Sequence, residues 1–303
     1  MQIYLPIAEM TVEGETIILL GSFVGFLSGV FGVGGGFLTT PFLIFIGIPP
    51  AIAVGTQASQ LVAASVSGVV GHWRKGNVDT QVALVMLVGG IIGSVIGVSI
   101  FKVLQYFGQI DFTIAVVYIV LLGSIGGLMM VESVRTLAKK KNVSSEFNTS
   151  KIPPFIANLP YKMRFARSKL YVSALVPGGI GFVGGLLAST MGIGGGFLLV
   201  PAMIYILRMP TMLVAGTVLF QVIFTTAFAT MMHAVFNQSV DIMLAVMLII
   251  GGVIGAQFGV RVSRLIKGAH ARIVLSVLLL TVCLQLAGQL FIHPAELYST
   301  VVR

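Results

Sequence analysis

Charge is what this chain has least of. Only 9% of its 303 residues are Asp, Glu, Lys or Arg, against roughly a quarter in a soluble domain. There is one cysteine, Cys283, so no intrachain disulfide is possible. His, Cys and carboxylates never cluster at metal-ligand spacing, and no cofactor motif is present, so neither metal nor cofactor is expected. Residues 1–16 hold Glu9, Glu13 and Glu15 but no Lys or Arg, whereas a secretory signal needs a positive start; the first apolar segment is therefore read as part of the mature protein. No Asp, Glu, Lys or Arg lies near the middle of an apolar run: Lys102, Asp111, Glu132, Arg261 and Arg264 all fall near ends. Carboxylate proton relays and arginine-lined pores at mid-membrane are thereby disfavoured.

What fills the chain is apolar. Hydrophobic residues make up 57% of it, and its mean hydropathy is +1.05. The runs reach the ~20 residues a membrane helix needs, which predicts an all-α, multi-pass protein embedded in a lipid bilayer. The net charge of +9 sits in loops and at helix ends, where it orients the chain and meets anionic lipid; no nucleic-acid partner is implied. A homo-oligomer is compatible with this composition, and the sequence leaves the oligomeric state open.

One motif occurs twice, 160 positions apart: Gly32-Val33-Gly34-Gly35-Gly36-Phe37 closed by Pro41, and Gly192-Ile193-Gly194-Gly195-Gly196-Phe197 closed by Pro201. Glycine runs break helices. In hydrocarbon a break leaves unpaired backbone groups at several kcal/mol each, so it survives only inside protein or against a watery cavity. The correspondence extends to Gly55-Thr56 and Gly216-Thr217, Gln60 and Gln221, His72 and His233, Asp79 and Asp241, and Gly89–Gly93 and Gly251–Gly255. This divides the chain into a first transmembrane repeat (1–138), a basic linker (139–170) and a second repeat (171–303). Four apolar segments are expected in each repeat: roughly 17–47, 51–73, 80–104 and 110–138, then 173–207, 211–236, 240–266 and 270–292.

The linker, with Lys139, Lys140, Lys141, Lys151, Lys162, Arg164, Arg167 and Lys169, is cytoplasmic by the positive-inside rule. If all eight segments crossed, the basic turn at 267–271 would lie outside and the uncharged turn at 237–240 inside, both against that rule. If the first segment of each half is instead a glycine-tipped, re-entrant hairpin, both turns fall correctly and only Lys102 is misplaced. Each limb of such a hairpin, about 11–15 residues, is too short to span. Three crossings per half make the repeats inverted. Eight crossings in parallel repeats is the other reading.

Two inverted hairpins would bring their tips together near the bilayer midplane. The amides opening each second limb, with the helix dipole behind them, would build an anion site without a cationic side chain. The candidate binding residues are Gly34, Gly35, Gly36 and Phe37, and Gly194, Gly195, Gly196 and Phe197. The polar stripe of the second segment adds Thr56, Gln57 and Gln60, echoed by Thr217 and Gln221, since hydroxyls and amides donate to oxyanions. Val218 stands where the first half has Gln57, so the site is expected to be asymmetric. His72 and His233, near span ends, are candidates either for proton coupling or for anchoring at the membrane interface, where Trp73 also fits. Tight helix packing accounts equally for isolated glycines, and interhelical bonding for isolated glutamines.

The two GxGGGF-x3-P motifs, each followed by Gly-Thr, and the later GGxxGxxxG resemble the TauE/SafE sulfite exporter family. The resemblance covers nearly the whole chain apart from residues 1–15 and most of the linker, which is longer than in the shortest members. It implies a multi-pass carrier of the bacterial inner membrane for a small sulfur oxyanion or sulfonate, working by alternating access. An anion channel using the same site is the alternative. An intramembrane enzyme is disfavoured, because the chain offers only peripheral His and Cys283 as reactive groups.

Overall fold

The computed structural model of the chain describes residues 2–31, 36–138, 160–168, 170–263 and 268–292. A short hairpin, β1 (Gln2–Leu5) and β2 (Met10–Glu13), leads into α1 (Gly14–Phe31), α2 (Gly36–Phe45), α3 (Pro50–Arg74), α4 (Thr80–Tyr106) and α5 (Ile110–Ala138). A second hairpin, β3 (Lys162–Phe165) and β4 (Leu170–Ser173), precedes α6 (Leu175–Met191), α7 (Gly196–Tyr205), α8 (Thr211–Met232), α9 (Ile242–Ser263) and α10 (Gly268–Ile292). One π-helical turn, His233–Asn237, extends α8. Among the described residues five stretches are long and apolar enough to cross a membrane: Thr80–Tyr106, Ile110–Val131, Met212–Asn237, Ile242–Gly259 and Ile273–Leu290. The apolar helices α1, α2 and α6 are shorter. This is a helical, multi-pass membrane protein.

The helical architecture is as expected, with two short antiparallel hairpins added to it, registered Gln2↔Glu13 to Leu5↔Met10 and Lys162↔Ser173 to Phe165↔Leu170. Strand β3 lies within the stretch read as linker. Its four residues, Lys162-Met163-Arg164-Phe165, alternate charged and apolar side chains, but a run this short carries little strand signal inside a basic stretch.

Helix starts follow local chemistry. Pro50 opens α3 at a position where its missing N–H costs nothing. Asp79 caps α4 by accepting the amides of Gln81 (3.1 Å) and Val82 (3.2 Å). Asp241 does the same for α9 by accepting from Leu244 (3.2 Å).

Packing is reciprocal with respect to the sequence repeat. Helix α1 packs against α9 and α6 against α4, while α3 pairs with α8 and α5 with α10. The first two contacts are backbone-to-backbone. A Cβ on Gly255 would fall on the Ser22 carbonyl and one on Gly25 on the Gly252 carbonyl; across the other pair, a Cβ on Gly93 would fall on the Phe182 carbonyl and one on Gly185 on the Gly90 carbonyl. Without a hydrophobic drive between helices in lipid, such close approach is what holds them.

Three apolar clusters organise the bundle. One joins Leu5 and Val12 of the first hairpin to Leu43 and Ile48 at the exit of α2, Ala53 at the start of α3, and Leu244 and Leu248 of α9. A second joins Phe165 and Val172 of the second hairpin to Leu207 and Met209 beyond α7, Val82 and Met86 of α4, and Val214 and Val218 of α8. Helix α3 begins in the first cluster. Beyond its last turn Asn77 meets Gly216 of α8 beside the second. The clusters of the two hairpins therefore lie toward opposite ends of α3, a helix of 25 residues and so about 37 Å long at ~1.5 Å per residue. The third cluster lies between them, around Phe37, Met191 and Ile193, walled by Tyr118 and Leu122 of α5 and Leu279 and Val282 of α10.

Candidate functional site

The second glycine motif is a break between α6 and α7. Gly192 (φ +71°), Gly194 (φ +66°) and Gly195 (φ +69°) all take left-handed backbone, which an L side chain adopts only with strain. Residues 192–196 are buried. A helix end buried in this way must find partners for its last carbonyls, and three other helices supply them. The Tyr118 hydroxyl of α5 donates to the Met191 carbonyl (2.7 Å). The Gln57 amide of α3 donates to the Gly192 carbonyl (2.8 Å). His233, in the π turn after α8, holds the Ser189 carbonyl (2.6 Å). The amides on the other side of the break are not matched: among the described residues, none accepts a hydrogen bond from Gly194, Gly195 or Gly196.

Gly34 and Gly35 lie outside the described residues. Gly36 opens α2 and is brought close to the second break. Gln57 Nε2 donates to the Gly36 carbonyl as well as to Gly192, and its Oε1 accepts from the Thr40 hydroxyl. Beside it, Leu61 separates the two motifs: a Cβ on Gly36 would meet its Cδ1 at 2.7 Å, and one on Gly194 at 2.6 Å. Two residues of one helix thus bridge segments 135 and more positions apart. Phe37 is buried in the central cluster; the Phe197 side chain lies outside the described residues.

The other candidates divide. Gln60 accepts from the Thr39 hydroxyl (3.2 Å), and a Cβ on Gly252 would meet its amide nitrogen at 2.7 Å. Gln221 donates to Thr225 (2.7 Å) and stands in the same relation to Gly90, while its buried Oε1 has no partner among the described residues. Each glutamine therefore sits against the glycine-rich helix of the opposite half. Thr56 and Thr217 each bond the loop that leads into a helix of the opposite repeat. Thr217 accepts the Asp79 amide (2.9 Å) and donates to Leu213 (2.6 Å); Thr56 accepts the Asp241 amide (2.9 Å). The two aspartates are also tied to the hairpins: Asp79 accepts from Ser168 (3.0 Å) and Asp241 from Ile7 (3.0 Å). The preceding glycines, Gly55 and Gly216, allow these loops to approach. His233 is 0% exposed, which does not suit the anchoring role. His72 is half-buried with Nδ1 unpartnered among the described residues, beside Trp73, which stacks on Phe220.

Tyr118 and Thr40 were not anticipated. A hydroxyl in the middle of an apolar run is a usable signal for Tyr118, since a buried tyrosine needs a partner. For Thr40 the signal is the contrast with Val200 at the equivalent place. An apolar cavity of about 200 Å³ lies between α4, α5 and α6, walled by Phe101, Ile114, Leu187 and Met191. Its lining offers an anion nothing to bind.

Comparison with known proteins agrees with this architecture. The family described as Sulfite exporter TauE/SafE matches residues 17–286. A "Probable membrane transporter protein YjnA" of Bacillus subtilis is 29% identical over 251 residues, covering 82% of this chain and 89% of that protein. A "Probable membrane transporter protein" of Xylella fastidiosa is 30% identical over 254 residues, 82% of this chain and 85% of its own length. A "Sulfite exporter TauE/SafE family protein 2" of Arabidopsis thaliana is 32% identical over 111 residues, 34% of this chain and 24% of that protein. No solved structure matches.

Proposed function

The chain belongs to the sulfite exporter TauE/SafE family, and on that premise we propose that it is a secondary transporter of a small sulfur-containing anion (sulfite, thiosulfate or an organosulfonate) in the inner membrane of a bacterium, working by alternating access. The observation that carries the reading is the one-sided polarity of the second break. Its carbonyls are covered by Tyr118, Gln57 and His233, while the amides of Gly194–Gly196 stand at the N-terminus of α7, where the helix dipole favours negative charge. A pair of such tips, tied through Gln57, suits a compact oxyanion. The resemblance of the residues in the first motif extends the site to Gly34–Gly36 by the same logic.

The expected topology is inverted repeats with re-entrant α1–α2 and α6–α7 hairpins. Supporting it, each hairpin leaves and returns to its own apolar cluster, and the two clusters lie at opposite ends of α3. The end holding Ile7 and Asp241 is assigned outside. The end where the Arg167 guanidinium donates to the Val78 carbonyl (2.8 Å) is assigned inside. Reporter fusions at residues 5 and 238 are expected to read outside; a cytoplasmic signal at either position overturns the inverted arrangement.

The test of the site is equilibrium binding of sulfite and a sulfonate to purified protein and to Gly195→Leu. Leucine there must adopt φ +69° and would press on Gly184, whose Cα and carbonyl lie 3.1 Å from the new Cβ. The expected weakening is about tenfold or more, the loss of one charge-assisted hydrogen bond, in protein that still elutes as a single folded species. Wild-type affinity in that variant removes the glycine tip from the site.

A further inference from the structure

We propose that His233 is the site at which the carrier takes up a coupling proton, so that proton and anion bind on the two sides of the second glycine break. The proposal rests on the anion-carrier reading above and adds the coupled ion to it. His233 is completely buried and lies in a π-helical turn, an irregularity that recurs at functional positions. Its Nε2 is 2.6 Å from the Ser189 carbonyl, three residues before Gly192. A carbonyl only accepts, so the neutral ring carries its hydrogen on Nε2 and keeps a lone pair on Nδ1. The Asn237 side-chain amide lies 3.0 Å from that lone pair and donates to it.

The other end of the same amide supplies the switch. Asn237 Oδ1 is buried and has no partner among the described residues. A proton from water bonding to the Nδ1 lone pair turns that nitrogen from acceptor into donor, and no electron transfer is involved. A half-turn of the Asn237 amide then exchanges nitrogen for oxygen and presents Oδ1 to the new N–H. The charged ring keeps both hydrogen bonds, one to Ser189 and one to Asn237, and an orphaned acceptor gains a donor.

The charge balance around the ring explains why the anion should follow. From α4, Phe101 meets the ring edge-on at 4.7 Å, and Lys102 reaches instead over Phe236. From α6 come Ser189 and Thr190, whose hydroxyl is bonded to the Leu186 carbonyl. Asp241, beyond the π turn, is held by the amides of Ile7 and Leu244, and Asp111 at the start of α5 by the amide of Ala51. Among the described residues no carboxylate bonds the ring. A buried imidazolium without a counter-charge is costly. The carbonyl end of α6 offsets part of that cost, and an anion at Gly194–Gly196 would offset more. Each ion lowers the burial cost of the other, and such coupling is reciprocal. The repeat-related His72 lacks the arrangement: among the described residues its Nδ1 has no partner, and the ring is partly exposed.

The experiment uses purified full-length protein in proteoliposomes with thiosulfate or methanesulfonate, whose charge is constant across the histidine range, about pH 6 to 8. Uptake is followed together with lumenal pH from a trapped dye. In wild type, acid outside should accelerate uptake severalfold, and an imposed anion gradient should carry protons inward. His233→Gln should still take up anion down its gradient while losing both the acceleration and the lumenal pH change. Asn237→Leu, which removes the waiting acceptor, should move the acceleration to lower pH. The proposal is overturned if His233→Gln keeps the wild-type acceleration, or if wild type transports the anion without any proton movement; either result leaves the carrier reading intact. Should His233→Gln fail to elute as a folded species, an unchanged pH profile in Asn237→Leu overturns it instead. Absence of uptake of any sulfur anion by wild type would remove the carrier reading, and this one with it.

Discussion

Gly185→Ala is expected to cost the protein most of its folded yield, whereas Gly179→Ala, less than two turns away on the same helix, should cost nothing and raise the melting temperature slightly. The two positions differ in what an added methyl would meet. At Gly179 there is nothing within 4 Å, and alanine gains up to about 1 kcal/mol over glycine in a helix. At Gly185 the methyl would fall on the backbone of α4: on the Gly90 carbonyl oxygen, with the Gly90 carbonyl carbon at 2.7 Å and Cα at 2.8 Å. No rotamer relieves a clash with backbone, so α6 and α4 must separate. The Ser94 hydroxyl, which donates to the Gly185 carbonyl (3.2 Å), loses its partner in the same movement. Overpacking costs roughly 1–3 kcal/mol where side chains can yield, and here they cannot. Size-exclusion profiles and thermal unfolding in detergent check this. Equal melting temperatures for Gly185→Ala and wild type would mean that the α4–α6 contact does not hold the bundle together.

That contact also shows where the sequence was legible and where it was not. Long apolar runs bounded by Gly, Pro and Asp are strong local signals, and the segments read as 80–104 and 110–138 correspond to Thr80–Tyr106 and Ile110–Ala138. The break at Gly192–Gly195 could be read for the same reason, since three consecutive small residues with no packing surface end a helix. The glycines of α4 and α6 could be assigned to close packing, but not to each other. Partner choice depends on contacts between residues 89 or more positions apart, as for Gly93 and Phe182, and nothing local encodes it. Thr56 and Thr217 illustrate the same limit: a hydroxyl in a span reads as a ligand, and the amides of Asp241 and Asp79 that bond it lie far away in the sequence. His233 looked interfacial because it ends an apolar run. The π turn carries the helix one turn further and keeps the ring inside. The hairpin strands, four residues each, are too short to carry a periodic signal.

Gln57→Leu should abolish measurable anion uptake while Val218→Leu, at the equivalent position of the second half, should leave it within about a factor of a few. The difference lies in what each side chain touches. Val218 packs in an apolar cluster, where a volume change of one methylene is modest. Gln57 is fully buried and every bond it makes is to the two glycine motifs or to Thr40 of α2. Leucine there removes the donor to the Gly36 and Gly192 carbonyls and an acceptor of the Thr40 hydroxyl, at about 1–3 kcal/mol for each group left unsatisfied. The consequence for an anion is larger than the stability cost. A bare Gly192 carbonyl beside the amides of Gly194–Gly196 places partial negative charge where the oxyanion must sit, in a low-dielectric interior that magnifies it. Gln57→Glu sharpens the comparison: the carboxylate has nearly the volume of glutamine but cannot donate to either carbonyl and adds a full negative charge. Equilibrium binding should therefore fall in the order wild type, Gln57→Leu, Gln57→Glu. A Gln57→Glu protein that bound thiosulfate as tightly as wild type would show that the anion lies elsewhere, because no site beside a buried carboxylate could ignore it.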